Sequence, residues 1–150
     1  MSSVLNTRYN DFYGKIVLKY ITGGSAKGIM ATPHVLLVDN SCVDHLVAMR
    51  VLKSCNIRVT VVESPKQALK FLDMEHDVQL ILTDYSMPGM TGYDLLTEVK
   101  KSPKLSHLPV VITCTENIPE RIKKCLDGGA KDYIIKPIKV ANVPELLSYI

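Results

Sequence analysis

The chain has 150 residues, 47% of them hydrophobic and 22% charged, with a formal net charge of +3. That is enough chain for one self-supporting core, and the charge excess is too slight to argue for nucleic acid. No apolar run reaches the length of a membrane span, and Lys15 and Lys19 interrupt the N-terminal apolar stretch where a signal peptide needs continuity.

The excess charge is local. Residues 1–30 hold Arg8, Lys15, Lys19 and Lys27 against Asp11, leaving 14 basic and 14 acidic residues in the remainder. Residues 1–32 read as an N-terminal extension that runs into a Gly/Ser linker around Thr22–Gly28. Tyr9, Phe12, Tyr13, Ile16, Val17, Leu18, Tyr20 and Ile21 fit a short amphipathic helix or a strand equally well. Solvated disorder or an extra helix against the body is a simpler reading than a nucleic-acid or membrane contact. Cys42, Cys55, Cys114 and Cys125 form no CxxC pair and read as packing thiols of a reducing compartment. His34, His45, His76 and His107 match no metal-ligand spacing. The expected setting is intracellular, cytoplasmic or nuclear.

From Pro33 the pattern becomes regular. His34–Val38 is a short apolar run ending at Asp39-Asn40-Ser41, and Val43, Leu46, Val47 and Val51 then follow at helical spacing with Asn40 or Ser41 as cap. Arg58–Val62 is a β-branched strand, and Pro65 opens a second helix marked by Ala68, Leu69 and Leu72. Val78–Thr83 is a third strand that ends on Asp84; a loop with one proline and two glycines follows, then a helix marked by Leu95, Leu96 and Val99. Val110–Thr113 is the fourth strand, followed by a helix striped by Ile118, Ile122, Cys125 and Leu126 and ended by Gly128-Gly129. Tyr133–Ile135 is the fifth strand, ending at Lys136-Pro137, and Val143, Leu146, Leu147 and Ile150 mark the last helix. Five apolar strands alternating with five helices predict a parallel α/β sheet covered on both faces.

In such a sheet the C-terminal strand ends share one edge, where ligands bind. That edge receives Asp39 and Asn40, Glu63, Asp84, Cys114 and Thr115, and Lys136. Each alone is ordinary; an Asp after a strand is usually a cap, and a Lys before Pro is usually solvated. Together they suit a hard cation and a phosphoryl group: carboxylates for magnesium, a carboxylate as nucleophile, and a lysine facing phosphoryl oxygens. No GxxxxGK[ST] cradle is present, so no nucleoside triphosphate site is evident.

The segments Val-Asp39-Asn40-Ser, Thr-Asp84-Tyr-Ser-Met-Pro-Gly-Met-Thr-Gly92, Pro109-Val-Val-Ile and Tyr133-Ile-Ile-Lys136-Pro137 resemble the receiver domain of two-component response regulators over residues 33–150. The Thr83–Tyr93 phrase and Glu116-Asn117-Ile118-Pro119 look like the short type-A response regulators of plant cytokinin signalling. The resemblance implies a flavodoxin-like, doubly wound (βα)5 fold with strand order 2-1-3-4-5 and a stand-alone receiver without an output domain.

It further implies Asp84 as phospho-acceptor, loaded by a histidine phosphotransfer protein. Magnesium ligands would be Asp39, Asn40, Asp84 and the Ser86 backbone carbonyl. Lys136 would contact the phosphoryl group, oriented by a cis bond to Pro137, and Tyr133 would be the switch aromatic. Downstream proteins would read the fourth-helix/fifth-strand face of a monomer or weak dimer that is not an enzyme and binds neither nucleic acid nor membrane.

Two positions depart from the pattern. Asn40 replaces the second acid of the pair, so magnesium is expected to bind weakly. Cys114 stands at the switch Ser/Thr position, and a thiol is a feeble donor. Thr113 and Thr115 point to the opposite face by alternation. The alternative is a pseudo-receiver, a protein-binding module in which phosphorylation plays no part. A phosphatase working through an aspartyl-phosphate is disfavoured, because Tyr85 and Ser86 follow Asp84 where such hydrolases carry a second acid.

Overall fold

The computed structural model describes residues 32–150. The expected extension and linker therefore lie outside the described residues, apart from Thr32. Five strands and five α-helices alternate: β1 (His34–Val38), α1 (Cys42–Ser54), β2 (Arg58–Val62), α2 (Pro65–Asp73), β3 (Leu80–Asp84), α3 (Gly92–Lys101), β4 (Val110–Cys114), α4 (Pro119–Asp127), β5 (Asp132–Ile135) and α5 (Val143–Ser148). All pairings are parallel, in the order β2-β1-β3-β4-β5.

The central strands are continuous apolar runs because both their faces are covered. Leu36, Val38, Ile81, Val110 and Ile112 point to one side, where they meet Ala68 and Leu72 of α2, Leu95, Leu96 and Val99 of α3, and Cys125 of α4. The alternate residues Val35, Leu37, Leu80, Leu82, Val111 and Ile134 meet Ala48 and Leu52 of α1 and Val143 and Leu146 of α5. The period-2 alternation of each strand thus feeds two separate helix layers.

Helix starts follow local chemistry. The Ser41 hydroxyl accepts the Asp44 N–H, the Ser64 hydroxyl accepts the Gln67 N–H ahead of Pro65, and Thr91 and Asp94 form a reciprocal capping box. Some expectations shift. The third strand runs over Leu80–Asp84 rather than from Val78, because β3 takes its register from β1 at Val35↔Leu80. On α1 the regularly spaced Val43, Leu46 and Val47 are exposed, and the helix packs through Ala48 and Leu52. The spacing identifies the helix, but small Ala48 marks the close approach to the sheet. On α4 only Cys125 of the expected stripe is fully buried. The last helix stops at Ser148, leaving Ile150 exposed beyond it.

Candidate functional site

Strand order reverses at β1, which lies between β2 and β3, so the crevice for a ligand opens beyond the C-terminal ends of β1 and β3. Asp39 follows β1 and Asp84 ends β3, and both are buried. The Asp39 backbone N–H continues the ladder to the Val62 carbonyl at 3.1 Å, which fixes where the side chain emerges. Its Oδ1 accepts the Ser41 N–H at 2.8 Å, and its Oδ2 lies 2.9 Å from Lys136 Nζ. Lys136 leaves β5 through a cis bond to Pro137, and its Nζ also stands 3.2 Å from Asp84 Oδ2.

These charges act on one another. Burial pushes the Asp84 carboxyl above its ordinary value, and Asp39 adds to this, while Lys136 and the Ser86 backbone N–H oppose it. Burial works against the Lys136 ammonium, but hydrogen bonds to Asp44 and Asp39 and the charge of Asp84 more than offset it, so its pKa rises.

The loop after Asp84 is tightly closed. Gly92 N–H donates to the Tyr85 carbonyl at 2.8 Å, and a Cβ at Gly92 would collide with the Asp84 carbonyl. Gly89 adopts a φ of 85°, the left-handed region that suits glycine. Met87 anchors the loop in the core layer formed with α2, α3 and α4.

Of the residues singled out from sequence, Asp39, Asp84 and Lys136 come together directly. Asn40 is exposed at the start of the turn into α1, and Ser86 is exposed in the β3–α3 loop. Glu63 is exposed at the end of the edge strand β2 and takes no part in the ion pairs around Lys136. Cys114 is buried, and its Sγ accepts a hydrogen bond from Arg121 Nη1 at 3.3 Å. Arg121 also bonds the Glu116 carboxylate at 2.9 Å. The Tyr133 hydroxyl donates to the Glu116 backbone carbonyl at 3.1 Å. Thr113 takes the other face: it lines a cavity of about 30 Å³, room for about one water, with Asp39, Asp44, Lys136 and Pro137.

Sequence reasoning passed over two residues. Asp44 receives Lys136 Nζ at 2.8 Å, closer than either of the other two carboxylates. Its signal was weak: it lies in the first turn of α1, three residues after the Ser41 cap, on a helix that begins at the rim. Arg121 had no such signal, because its contact with Cys114 depends on how α4 is laid against the sheet.

For a cation, the rim offers two buried carboxylates, a carboxamide and backbone carbonyl oxygens. Among the described residues no three acidic, histidine or cysteine side chains converge to hold a metal by themselves. The set is hard oxygen, and it suits an ion that keeps several waters and takes few carboxylates, as magnesium does.

A family model described as the response regulator receiver domain matches residues 35–148. The chain belongs to this family. The chain is 65% identical over 122 residues to the two-component response regulator ORR12 of Oryza sativa subsp. japonica, covering 81% of this chain and 100% of the relative. It is 47% identical over 135 residues to ORR11 of Oryza sativa subsp. indica, covering 90% and 92%. ORR12 is a type-A response regulator, the class this sequence resembles.

Among solved structures, a receiver protein from Pseudomonas putida shares the fold with a TM-score of 0.72 at 24% identity, covering 81% of this chain and all of that one. The receiver domain of a sensor histidine kinase from Pseudomonas aeruginosa matches with a TM-score of 0.69 at 27% identity, covering 79% and 96%; that structure has a magnesium ion coordinated in its active-site cleft. The fold is thus flavodoxin-like, with the strand order that the resemblance implies.

Proposed function

We propose that this receiver, residues 33–150, works in a His-to-Asp phosphorelay of plant cytokinin signalling. On this reading Asp84 accepts a phosphoryl group from a phosphohistidine on a histidine phosphotransfer protein. The observation that carries the reading is the Lys136 ammonium, 3.2 Å from Asp84 Oδ2 and 2.9 Å from Asp39 Oδ2, at the strand-order reversal. In the transfer, an Asp84 carboxylate oxygen forms a bond to phosphorus as the donor's N–P bond breaks, and the freed imidazole takes a proton from solvent. Burial keeps Asp84 poorly solvated and Lys136 faces the incoming oxygens, so less water has to be displaced at the moment of reaction.

Asp39, Asp84, the Ser86 carbonyl and the Asn40 amide oxygen are the groups that would hold magnesium. When bound, the ion would neutralise charge building on the phosphoryl oxygens. Asn40 brings an oxygen without a charge, so binding is weak. At 4 Å from a divalent ion the missing unit charge is worth several kcal/mol at an effective dielectric of about 20, before rehydration offsets part of it.

The response to phosphate is damped, because the Cys114 thiol is a poor donor and already faces Arg121. Tyr133 and Cys114 are the residues that would relay it to the α4/β5 face, which downstream proteins would read. The protein acts in cytoplasm or nucleus as a monomer or weak dimer.

Incubation with phosphorylated donor, with and without magnesium, tests the proposal. Acid-labile phosphate is expected on Asp84 and not on an Asp84→Asn variant; no phosphate on the wild type would sink it. A pseudo-receiver is the second reading, favoured by the occupied Cys114 position. Partner binding unaffected by Asp84→Asn would establish it.

A further inference from the structure

Lys136 Nζ has three carboxylate neighbours, and the nearest is not Asp84. Asp44 Oδ2 lies at 2.8 Å, Asp39 Oδ2 at 2.9 Å and Asp84 Oδ2 at 3.2 Å. An ammonium has three N–H donors, so these three acceptors fill it. Asp44 differs from the other two in where it stands. It belongs to the first turn of α1, with its backbone N–H held by the Ser41 hydroxyl at 3.2 Å, and it bonds a lysine 92 residues away beyond β5. Its side chain is 39% exposed, against 3% for Asp39 and 10% for Asp84.

Charge points the same way. With Asn40 neutral, the ion pairs around Lys136 set three carboxylates against one ammonium, a formal −2. Of the three acceptors, the exposed one is the cheapest to return to water. Asp39 is held by Ser41 N–H and by the ladder to β2, and Asp84 is the residue to be modified. Any further anion at the rim must therefore take its lysine donor from Asp44.

We infer that Asp44 is the positioning residue for Lys136: it draws the ammonium toward α1 and competes with a phosphoryl group on Asp84 for it. The inference rests on the proposed role of Asp84. Phosphorylation then exchanges the Asp44–Lys136 bond for a phosphoryl–Lys136 bond and releases the first turn of α1 from β5. The strength of the Asp44 contact sets how long the acyl phosphate survives, because only the lysine share that Asp44 gives up screens the phosphoryl oxygens.

Two measurements test this. First, the decay of acid-labile phosphate is followed on the wild type and on Asp44→Asn, Asp44→Glu and Lys136→Met variants loaded by a phosphorylated donor. Asp44→Asn is expected to lengthen the phosphate lifetime by roughly threefold to tenfold, because it removes the competing charge. Asp44→Glu should restore the wild-type lifetime, and Asp44→Asn should change nothing when Lys136 is already Met. An unchanged or shortened lifetime in Asp44→Asn, or the same change in the Lys136→Met background, overturns the inference.

Second, a double-mutant cycle of Asp44→Asn and Lys136→Met is run on equilibrium unfolding of the unphosphorylated protein. Coupling of about fivefold or more in the unfolding constant is expected, and additivity overturns the inference. If no variant and no wild type takes phosphate, the proposed function fails, while the cycle still decides whether Asp44 holds Lys136.

Discussion

The Arg121 guanidinium lies over the Tyr85 ring, 4.2 Å from its centroid, while its Nη1 reaches Cys114 Sγ at 3.3 Å. One side chain of α4 therefore touches both the residue after Asp84 and the residue that ends β4. A partly exposed cation–π contact contributes roughly 0.5–1 kcal/mol, and an exposed ion pair such as that to Glu116 up to about 1 kcal/mol. Arg121→Met is expected to lower unfolding stability by about 1–2 kcal/mol in urea titration and to shift the Tyr85 and Tyr133 ring resonances. Unmoved resonances would show that the contact is not kept in solution.

Cys114→Thr tests the proposed damping of the response. The hydroxyl can still accept from Arg121, so stability should change by no more than about 1 kcal/mol. It can also donate to an oxygen on Asp84, which the thiol does poorly. On the proposed function, the spectral change on phosphorylation should grow along α4 and β5. A response equal to the wild type would count against a damped switch at Cys114.

Gly92→Ala puts a methyl group against the Asp84 carbonyl and within 3.1 Å of Tyr85 Cα. Both neighbours are backbone and cannot rotate away. Overpacking of this kind costs about 1–3 kcal/mol, to be read as a lower urea midpoint.

Asn40→Asp restores an acid beside Asp39. An added unit charge near a divalent ion, largely offset by dehydration, should raise magnesium affinity roughly tenfold or more. Titration calorimetry on the unphosphorylated protein measures it directly. Equal affinity would show that Asn40 lies too far out to contribute.

At the opposite end of the sheet, Asp77 bonds His34 Nδ1 and Arg58 Nη2, both at 2.6 Å, and the other His34 ring nitrogen meets the Thr60 hydroxyl at 2.8 Å. The His34 hydrogen bond, and then Arg58, hold the Asp77 carboxyl well below its ordinary 3.8, against the opposing effect of burial. A depressed carboxyl stabilises the fold above its unfolded pKa, and that stability is lost as pH falls below about 3.8. Because the Asp77 side chain is 61% exposed, solvent screens much of the effect. Asp77→Asn should flatten the acid limb of the stability profile and leave its shape near pH 7 unchanged. An acid limb identical to the wild type would remove Asp77 from the account.

Much of this was legible in the sequence. Runs such as Val35–Val38 and Leu80–Leu82 are apolar on both faces, and only a parallel sheet under two helix layers buries them. Asp39, Asp84 and Lys136 were legible as strand-end residues, because topology alone brings such ends to one edge. Asp44 was harder to see: a first-turn acid after a serine cap has a sufficient local explanation in the helix dipole. Exposure of Val43, Leu46 and Val47 was hidden as well, since spacing shows a face but not which way it turns. The Arg121–Tyr85 stack depends on the rotation of α4, which no periodicity encodes.

The glycine at the start of α3 leaves no clearance between that helix and the carbonyl of Asp84. The end of β3 and the head of α3 are in effect welded, with the intervening loop pinned by the Gly92–Tyr85 bond and by Met87 in the core. A change of charge on Asp84 can hardly travel as a shift of its own main chain. The route with mechanical freedom leads sideways through side chains, to Arg121 and Tyr133 on one flank and to Lys136 and α1 on the other. On this geometry α3 is the stator of the domain, and whatever moves will move against it.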